Sequence, residues 1–392
     1  MVDKPHIVIV AKGGSTWLGG RQYSLNLVRA LIANRDERDR YDISVLVKGE
    51  RELTHYKTLR TELRECADIE TLREDWTLSN RVRWKIKRTF LGWTNPQFEE
   101  LLLRTGATFA YPVSVARIPS ADWIPDFQYY NFPDAASRAD RLERKIEADR
   151  IVRDAQRIVL SSSCAEQDCH KVFPQTIGRT AVVQFRTYAD SSWFAADPLE
   201  ICRKYNLPKR FVLISNWLVP TKNHKFVLDA LAEIPHADRR SMHVVSTGEI
   251  YDYRNPDFYN TFLNKIHTLG LRDQISVLGV IPKEDQIQLL RASIAYLQPS
   301  LHEGWNAGVE EAHLFGKAIM LSDIPVHREQ APPRATYFDP CDPSDLAGKL
   351  RQLFDSVEAS PSSKEAEHMA AAAYHELQIK FAKTFLSIGD LA

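Results

Sequence analysis

The stretch Ser300 to Ala312, SLHEGWNAGVEEA, decides how the chain is read. It follows the apolar run Ser293 to Pro299, SIAYLQP, and precedes His313 to Pro325, HLFGKAIMLSDIP. Glycines and three carboxylates thus stand between a buried-strand pattern and a helix. In open parallel sheets, ligands bind beyond the carboxyl ends of strands, where loops lead into helix N-termini. Backbone N–H groups of Trp305, Asn306, Ala307 and Gly308 are expected to be unpaired at such a helix start. With the helix dipole they make an anion site suited to a diphosphate. Gly304 and Gly308 allow close backbone approach, where a side chain would obstruct the ligand. Glu303 precedes this cradle and Glu311 lies about one turn into the helix. Carboxylates on either flank accept hydroxyl hydrogen bonds, one from a sugar and one from a ribose. Glu310 points about 100° away from Glu311 and is expected on a solvated face.

Outward from this stretch, strand and helix patterns alternate. RFVLISN, MHVVSTG, ISVLGVI, IAYLQPS and AIMLSD read as short buried strands separated by helices such as NHKFVLDALAEI and DQIQLLRAS. The first half opens the same way: HIVIVA, a glycine loop KGGSTWLGG, the helical RQYSLNLVRALIANR, then the strand YDISVLVKG. That is a βαβ unit, which implies a parallel sheet with right-handed crossovers. The chain is therefore expected to be α/β, with two successive doubly wound units: residues 1–196, residues 197–375, and a terminal helix, 376–392, packing back on the first. Residues 51–97 read as an inserted helical element. Within it NRVRWKIKRTFLGW, residues 80–93, interleaves five basic residues with aromatics. A solvated amphipathic helix is the plain reading; contact with a membrane or a lipid-linked acceptor is the sharper one.

The 392 residues balance 51 basic against 51 acidic side chains, so no global field favours nucleic acid. The N-terminus has no signal-peptide pattern and no apolar run is long enough to span a bilayer, so a cytoplasmic protein is expected, with membrane association on the cytoplasmic face left open. Five scattered cysteines suggest reduced thiols, and twelve histidines show no metal-ligand spacing, so no metal site is expected.

Pro299 to Gln330 resembles the E-x7-E signature of retaining GT-B glycosyltransferases, family 4, whose general form is close to PSxxEGFGLPxLEAxAxGxPVIxSD. YFDPCDPSDLAGKL, residues 337–350, is similar to the tail of that signature. The resemblance implies two facing Rossmann-like domains, with a nucleoside-diphosphate sugar held by the second and a saccharide or lipid-linked saccharide acceptor by the first. It implies transfer to a hydroxyl with retained anomeric configuration, without cofactor or divalent metal. Glu303 matches the glutamate that contacts the donor sugar near the reacting centre, and Glu311 the one that binds ribose. ISNWLVPTKNH is similar to VGRLVPRKNH, placing Lys222 on the donor diphosphate, where a point charge stabilises a leaving group. Val280, in the loop from Gly279 to Pro282, lies where relatives pack the base. Gly19 and Gly20 match the glycine loop that faces acceptor and diphosphate.

Two departures stand out. Trp217 replaces the family's arginine, so a cation is missing; Arg186, Arg328 and Lys12 are the candidates to supply it, and Trp217 and Trp305 are read as stacking on ligand or as packing. In WIPDFQ, Pro125 replaces the family's histidine while Asp126 remains, as an acceptor contact or a turn-initiating residue. The chain is similar to a subset of the family, found among polysaccharide-assembly enzymes, that carries IPDFQ and EGW…SDIPVHREQ. His224 is expected to cap a helix and His302 to pack in its loop. Alternatives are a nucleotide-sugar epimerase and a catalytically silent sugar-nucleotide-binding protein. A dinucleotide oxidoreductase is disfavoured because no GxGxxG follows the first strand.

Overall fold

Continuous β-branched runs form strands that are covered on both faces, as parallel sheets require. The computed structural model describes residues 4–14, 17–34, 41–69, 96–357 and 363–390. The chain divides into two compact units, one of Met1–Phe127, Ala139–Tyr188 and Glu376–Ala392, the other of Gln128–Arg138 and Ala189–His375.

In the first unit, His6–Val10 (β1), Asp42–Val47 (β2), Glu65–Asp68 (β3) and Phe109–Tyr111 (β4) make a parallel sheet in the order β3-β2-β1-β4. Ala121–Ile124 (β5), Arg157–Leu160 (β6) and Thr180–Val182 (β7) form a second parallel sheet, and a bridge between Ala110 and Ser120 links the two. Val8, Leu46, Leu102 and Ala110 lie in one core cluster of this unit. Phe385 of the terminal helix packs edge-on against Phe109 and Tyr111, at centroid distances of 6.2 and 4.9 Å. Glu65–Asp68 corrects the expectation of a purely helical element over 51–97: Val45 and Val47 offer free ladder groups that pair with Cys66 and Asp68. The basic-aromatic stretch 80–93 lies outside the described residues.

The second unit is built on one six-stranded parallel sheet. Its strands are Val212–Ser215 (β8), Val244–Thr247 (β9), Ile275–Gly279 (β10), Ala295–Gln298 (β11), Ala318–Ser322 (β12) and Ala335–Phe338 (β13), in the order β10-β9-β8-β11-β12-β13. The five apolar runs read as strands above are β8 to β12; β13 is an addition, pairing Ile319 to Ala335 and Ser322 to Phe338. The chain winds outward from β8 through β9 and β10, then returns to place β11 on the other side of β8. The connection therefore reverses between β8 and β11, and the crevice outside their carboxyl ends is where such sheets bind ligands. Val212, Ile214, Leu231, Phe262, Leu297 and Leu350 belong to the core beneath that edge. Among the described residues no helix is long and apolar enough to cross a membrane.

Candidate active site

The loops after β8 and β11 meet at the reversal point. After β8 the chain turns through Pro220–Lys222, and Asn223 takes a left-handed conformation, φ 57°, that starts the next helix. Leu301 N–H donates to Thr221 O at 2.9 Å and ties the two loops. Lys222 is thereby placed with its Nζ 2.5 Å from Glu303 Oε1. The same oxygen accepts from Gln298 Nε2 at 2.8 Å and from Asn306 Nδ2 at 3.1 Å. Gln298 is oriented by Tyr296 Oη and Asn216 Nδ2, which both donate to its Oε1, at 3.0 and 2.8 Å. Burial disfavours the charged form of Glu303, but the adjacent Lys222 ammonium outweighs it and holds the carboxyl below its ordinary value. Glu303 is thus an oriented carboxylate whose geometry is set by three neighbours.

Behind this pair lies a neutral histidine. His327 is fully buried, with Nδ1 2.9 Å from Ser322 O, and burial lowers its pKa although the Glu303 charge pulls the other way. Its Nε2 has no partner among the described residues.

The helix after Glu303 runs from Ala307 to Leu314. Asn306 is its N-cap, accepting the Val309 N–H at 2.9 Å, and its own N–H, expected to be unpaired, donates instead to Gln330 Oε1 at 3.3 Å, so of the expected anion site the N–H groups of Ala307 and Gly308 are without a partner among the described residues. Gly304 and Trp305 are buried, and Trp305, at 7% exposure, is a packing residue rather than an open stacking face. Gly308 is required for a reason the sequence hid: a Cβ there would run into the Tyr296 hydroxyl and stand 2.6 Å from its ring carbon Cζ. Glu310 is corrected from a solvated residue to a buried one. It accepts from Gln330 Nε2 at 2.9 Å and from Tyr374 Oη at 2.5 Å, because the terminal helix covers that face. The helix ends at Gly316, φ 61°, where a Cβ would stand 2.7 Å from that of Ala370.

Glu311 is buried and accepts from Lys283 Nζ at 2.5 Å and Gln286 Nε2 at 3.0 Å, both on the helix that follows β10. Tyr296 lies within electrostatic reach of both Glu311 and Glu303; burial first, and these two charges next, raise its pKa and keep it a hydroxyl donor. Val280, in the loop before Lys283, is 60% exposed. The structure therefore gathers Lys222, Glu303, Asn306, Gly308 and Glu311 of the expected site on one sheet edge. It adds Gln298, Tyr296, Lys283 and Gln286, which single-sequence reading missed because a lone Gln in a strand or Lys after a proline carries no motif.

Trp217 donates its indole N–H to Tyr251 O at 3.1 Å, and the Arg254 guanidinium stands over its ring, 4.6 Å from the centroid. Arg328 pairs with Asp323 at 2.6 Å on the surface. In the first unit, Lys12 lies 3.9 Å from buried Asp122, and Arg186 lines a cavity of about 210 Å³ with Gln184 and Lys380. His224 does not cap its helix. It is buried edge-on to Phe262, neither ring nitrogen has a partner among the described residues, and burial pushes its pKa down to about 3.

Asp126, Gly19 and Gly20 belong to the first unit. Asp126 follows β5. Gly20 is glycine because the Trp17 ring covers it; a Cβ would stand 2.6 Å from ring carbon Cε3. Trp17 in turn stacks on Trp123 at 5.6 Å, and Trp123 on Tyr23 at 4.0 Å.

Residues 200–376 match the family model for glycosyl transferases group 1. Over 144 residues the chain is 27% identical to the serotype-specific mannosyltransferase WbdA of Escherichia coli; the match covers 36% of this chain and only 17% of that protein. The fold is similar to that of Anabaena Alr3699/HepE, solved in complex with UDP and glucose, at TM-score 0.64 and 15% identity over 99% of this chain and 100% of that one. It is similar also to sucrose-phosphate synthase of Thermosynechococcus elongatus, at TM-score 0.62 and 14% identity over 100% of both chains. WaaG, a glycosyltransferase involved in lipopolysaccharide biosynthesis, matches at TM-score 0.59 and 12% identity over 98% of both chains. At these identities the likeness shows the fold, which is GT-B.

Proposed function

We propose that this chain, which carries a group 1 glycosyltransferase domain on a GT-B fold, moves a sugar from a nucleoside-diphosphate sugar to a hydroxyl acceptor with retention, in the synthesis of a cell-surface polysaccharide or glycoconjugate. The observation that carries this reading is the pairing of Lys222 with Glu303 at 2.5 Å where the sheet connection reverses. A diphosphate arriving at the free N–H groups of Ala307 and Gly308 competes with Glu303 for the Lys222 ammonium. Lys222 then neutralises charge that grows on the departing phosphate, and Glu303, still held by Gln298 and Asn306, accepts from the donor sugar. Glu311 binds the ribose and Lys283 follows it. The leaving phosphate takes the acceptor's proton, so no prosthetic group enters the scheme. Asp126 and the loop of Gly19 and Gly20 are assigned to the acceptor, a saccharide or lipid-linked saccharide.

The mannosyltransferase relative and the neighbour solved with UDP and glucose support a sugar nucleotide as donor. A thermal-shift panel of UDP-, GDP- and dTDP-sugars tests it, because a ligand that binds the folded state raises its stability by mass action. The proposed activity requires one nucleotide class to raise the melting temperature and to yield nucleoside diphosphate when an acceptor is added, with the product's anomeric configuration, read by NMR, matching the donor's. Turnover of donor without acceptor identifies an epimerase, and binding without turnover identifies a silent binding protein.

A further inference from the structure

The loop after β9 carries a cation that the donor scheme above leaves unused. Arg254 places its guanidinium carbon 4.6 Å from the Trp217 ring centre and 5.7 Å from that of Tyr253, and its Nε donates to Asp252 Oδ1 at 2.7 Å. Asp252 is buried and also accepts the Arg254 backbone N–H at 3.1 Å, while its second carboxylate oxygen has no partner among the described residues. The ledge that bears this group is rigid. Leu218 N–H donates to Glu249 O at 2.7 Å, and Gly248, φ 126°, lets the loop after β9 lie so close that a Cβ would stand 2.6 Å from Asn216 C.

Arg254 is held at its Nε edge and against aromatic faces, yet its two terminal nitrogens make no hydrogen bond among the described residues. Its side chain is only 8% exposed, and neither terminal nitrogen is among the sealed, unpartnered polar atoms, so the small open part of the side chain is its donor end. Lys222 and Lys283, on the same sheet edge, each sit 2.5 Å from a carboxylate. A planar fork with free donors suits a phosphate, which accepts two parallel hydrogen bonds. We propose that Arg254 binds the diphosphate of the donor, supplying from the loop after β9 the cation that Trp217 does not, an inference that rests on the donor-binding function proposed above. Trp217 and Asp252 are positioning residues that hold the guanidinium flat and turn its terminal nitrogens outward.

Titration calorimetry of the purified full chain with UDP, GDP and dTDP tests this. Arg254→Gln weakens binding of whichever nucleotide the wild type takes by about tenfold or more, the worth of a charge-assisted pair of hydrogen bonds. The Gln variant's own melting temperature falls by only a few degrees. Arg254→Met, which keeps the stem against Trp217, serves with the same two outcomes if the Gln variant fails to fold. Affinity within about twofold of wild type overturns the inference. If Lys222→Ala loses affinity in that same series, the donor-site function stands while the Arg254 assignment falls. A wild-type protein that binds none of the three overturns both.

Discussion

Lys222 Nζ stands 2.5 Å from Glu303 Oε1 and joins the loops that follow β8 and β11. The two partners are not equally exposed: the Glu303 side chain is 8% accessible and that of Lys222 is 22%. Removing the lysine strands a carboxylate away from water, whereas removing the glutamate charge leaves an ammonium that solvent reaches. Lys222→Ala therefore lowers stability by about 1–3 kcal/mol, more than Glu303→Gln does, in urea titrations of the two variants.

Both variants are expected to lose the proposed glycosyl transfer. Glu303→Gln keeps the bonds from Gln298 or Asn306 in reach but loses the charge that orients Lys222, and a fall in kcat of roughly a hundredfold is expected. Full activity in both folded variants would remove these two residues from the chemistry.

Glu311 and Lys283 form a second pair, also at 2.5 Å. In its proposed role as a ribose contact, Glu311 would act on ground state and transition state alike, so Glu311→Gln is expected to raise the donor KM severalfold with kcat nearly unchanged. A fall in kcat with constant KM would contradict that role.

Gly308→Ala drives a methyl into Tyr296 and costs about 1–3 kcal/mol, measured by thermal or denaturant unfolding. Tyr296→Phe in the same chain relieves the clash with the hydroxyl and recovers part of the loss. A Gly308→Ala protein as stable as wild type would show that the helix start shifts freely.

His224 titrates at about 3 in the folded protein because burial disfavours its charged form, against an ordinary value of 6.5. Between those values the unfolded chain binds the extra proton, so the neutral ring's contribution is fully present above pH 6.5 and is lost as pH falls toward 3. The loss approaches about 1.4 kcal/mol per pH unit within that window. Glu303, lowered by Lys222, adds a further loss only below its ordinary carboxylate range. His224→Leu is expected to flatten the slope of stability between pH 6 and pH 4, since a leucine takes up no proton; an unchanged slope would place the acid sensitivity elsewhere.

Legibility from sequence followed the physics of each element. β8, β9, β11 and β12 are short, apolar and largely buried, and β10 is a half-buried apolar run, so the apolar pattern alone revealed them. β3, ECAD, has no apolar run, since its place is secured by pairing with β2 at a sheet edge. Glu303, Glu311 and Lys222 were readable because loop chemistry and helix start lie within one contiguous segment or a recognisable signature. Lys283 and Arg254 follow different strands, and only the β10-β9-β8-β11 order brings them to the same edge as Lys222 and Glu303. Glu310 was misread because helical phase says which face a residue takes, not whether another helix covers it; Tyr374 comes from 64 residues away.

Asn306 performs two tasks with the two ends of one amide: its oxygen closes the helix start through Val309, and its nitrogen reaches Glu303. Serine, threonine and aspartate are all competent at the first task; aspartate has no donor, and the single hydroxyl oxygen of serine or threonine that caps the helix does not also stand where the amide nitrogen does. A mutant library at this codon selected for folding alone would return all four residues, whereas selection for sugar transfer would return asparagine. The gap between those two outcomes would isolate, at a single atom, what the proposed transfer demands beyond architecture.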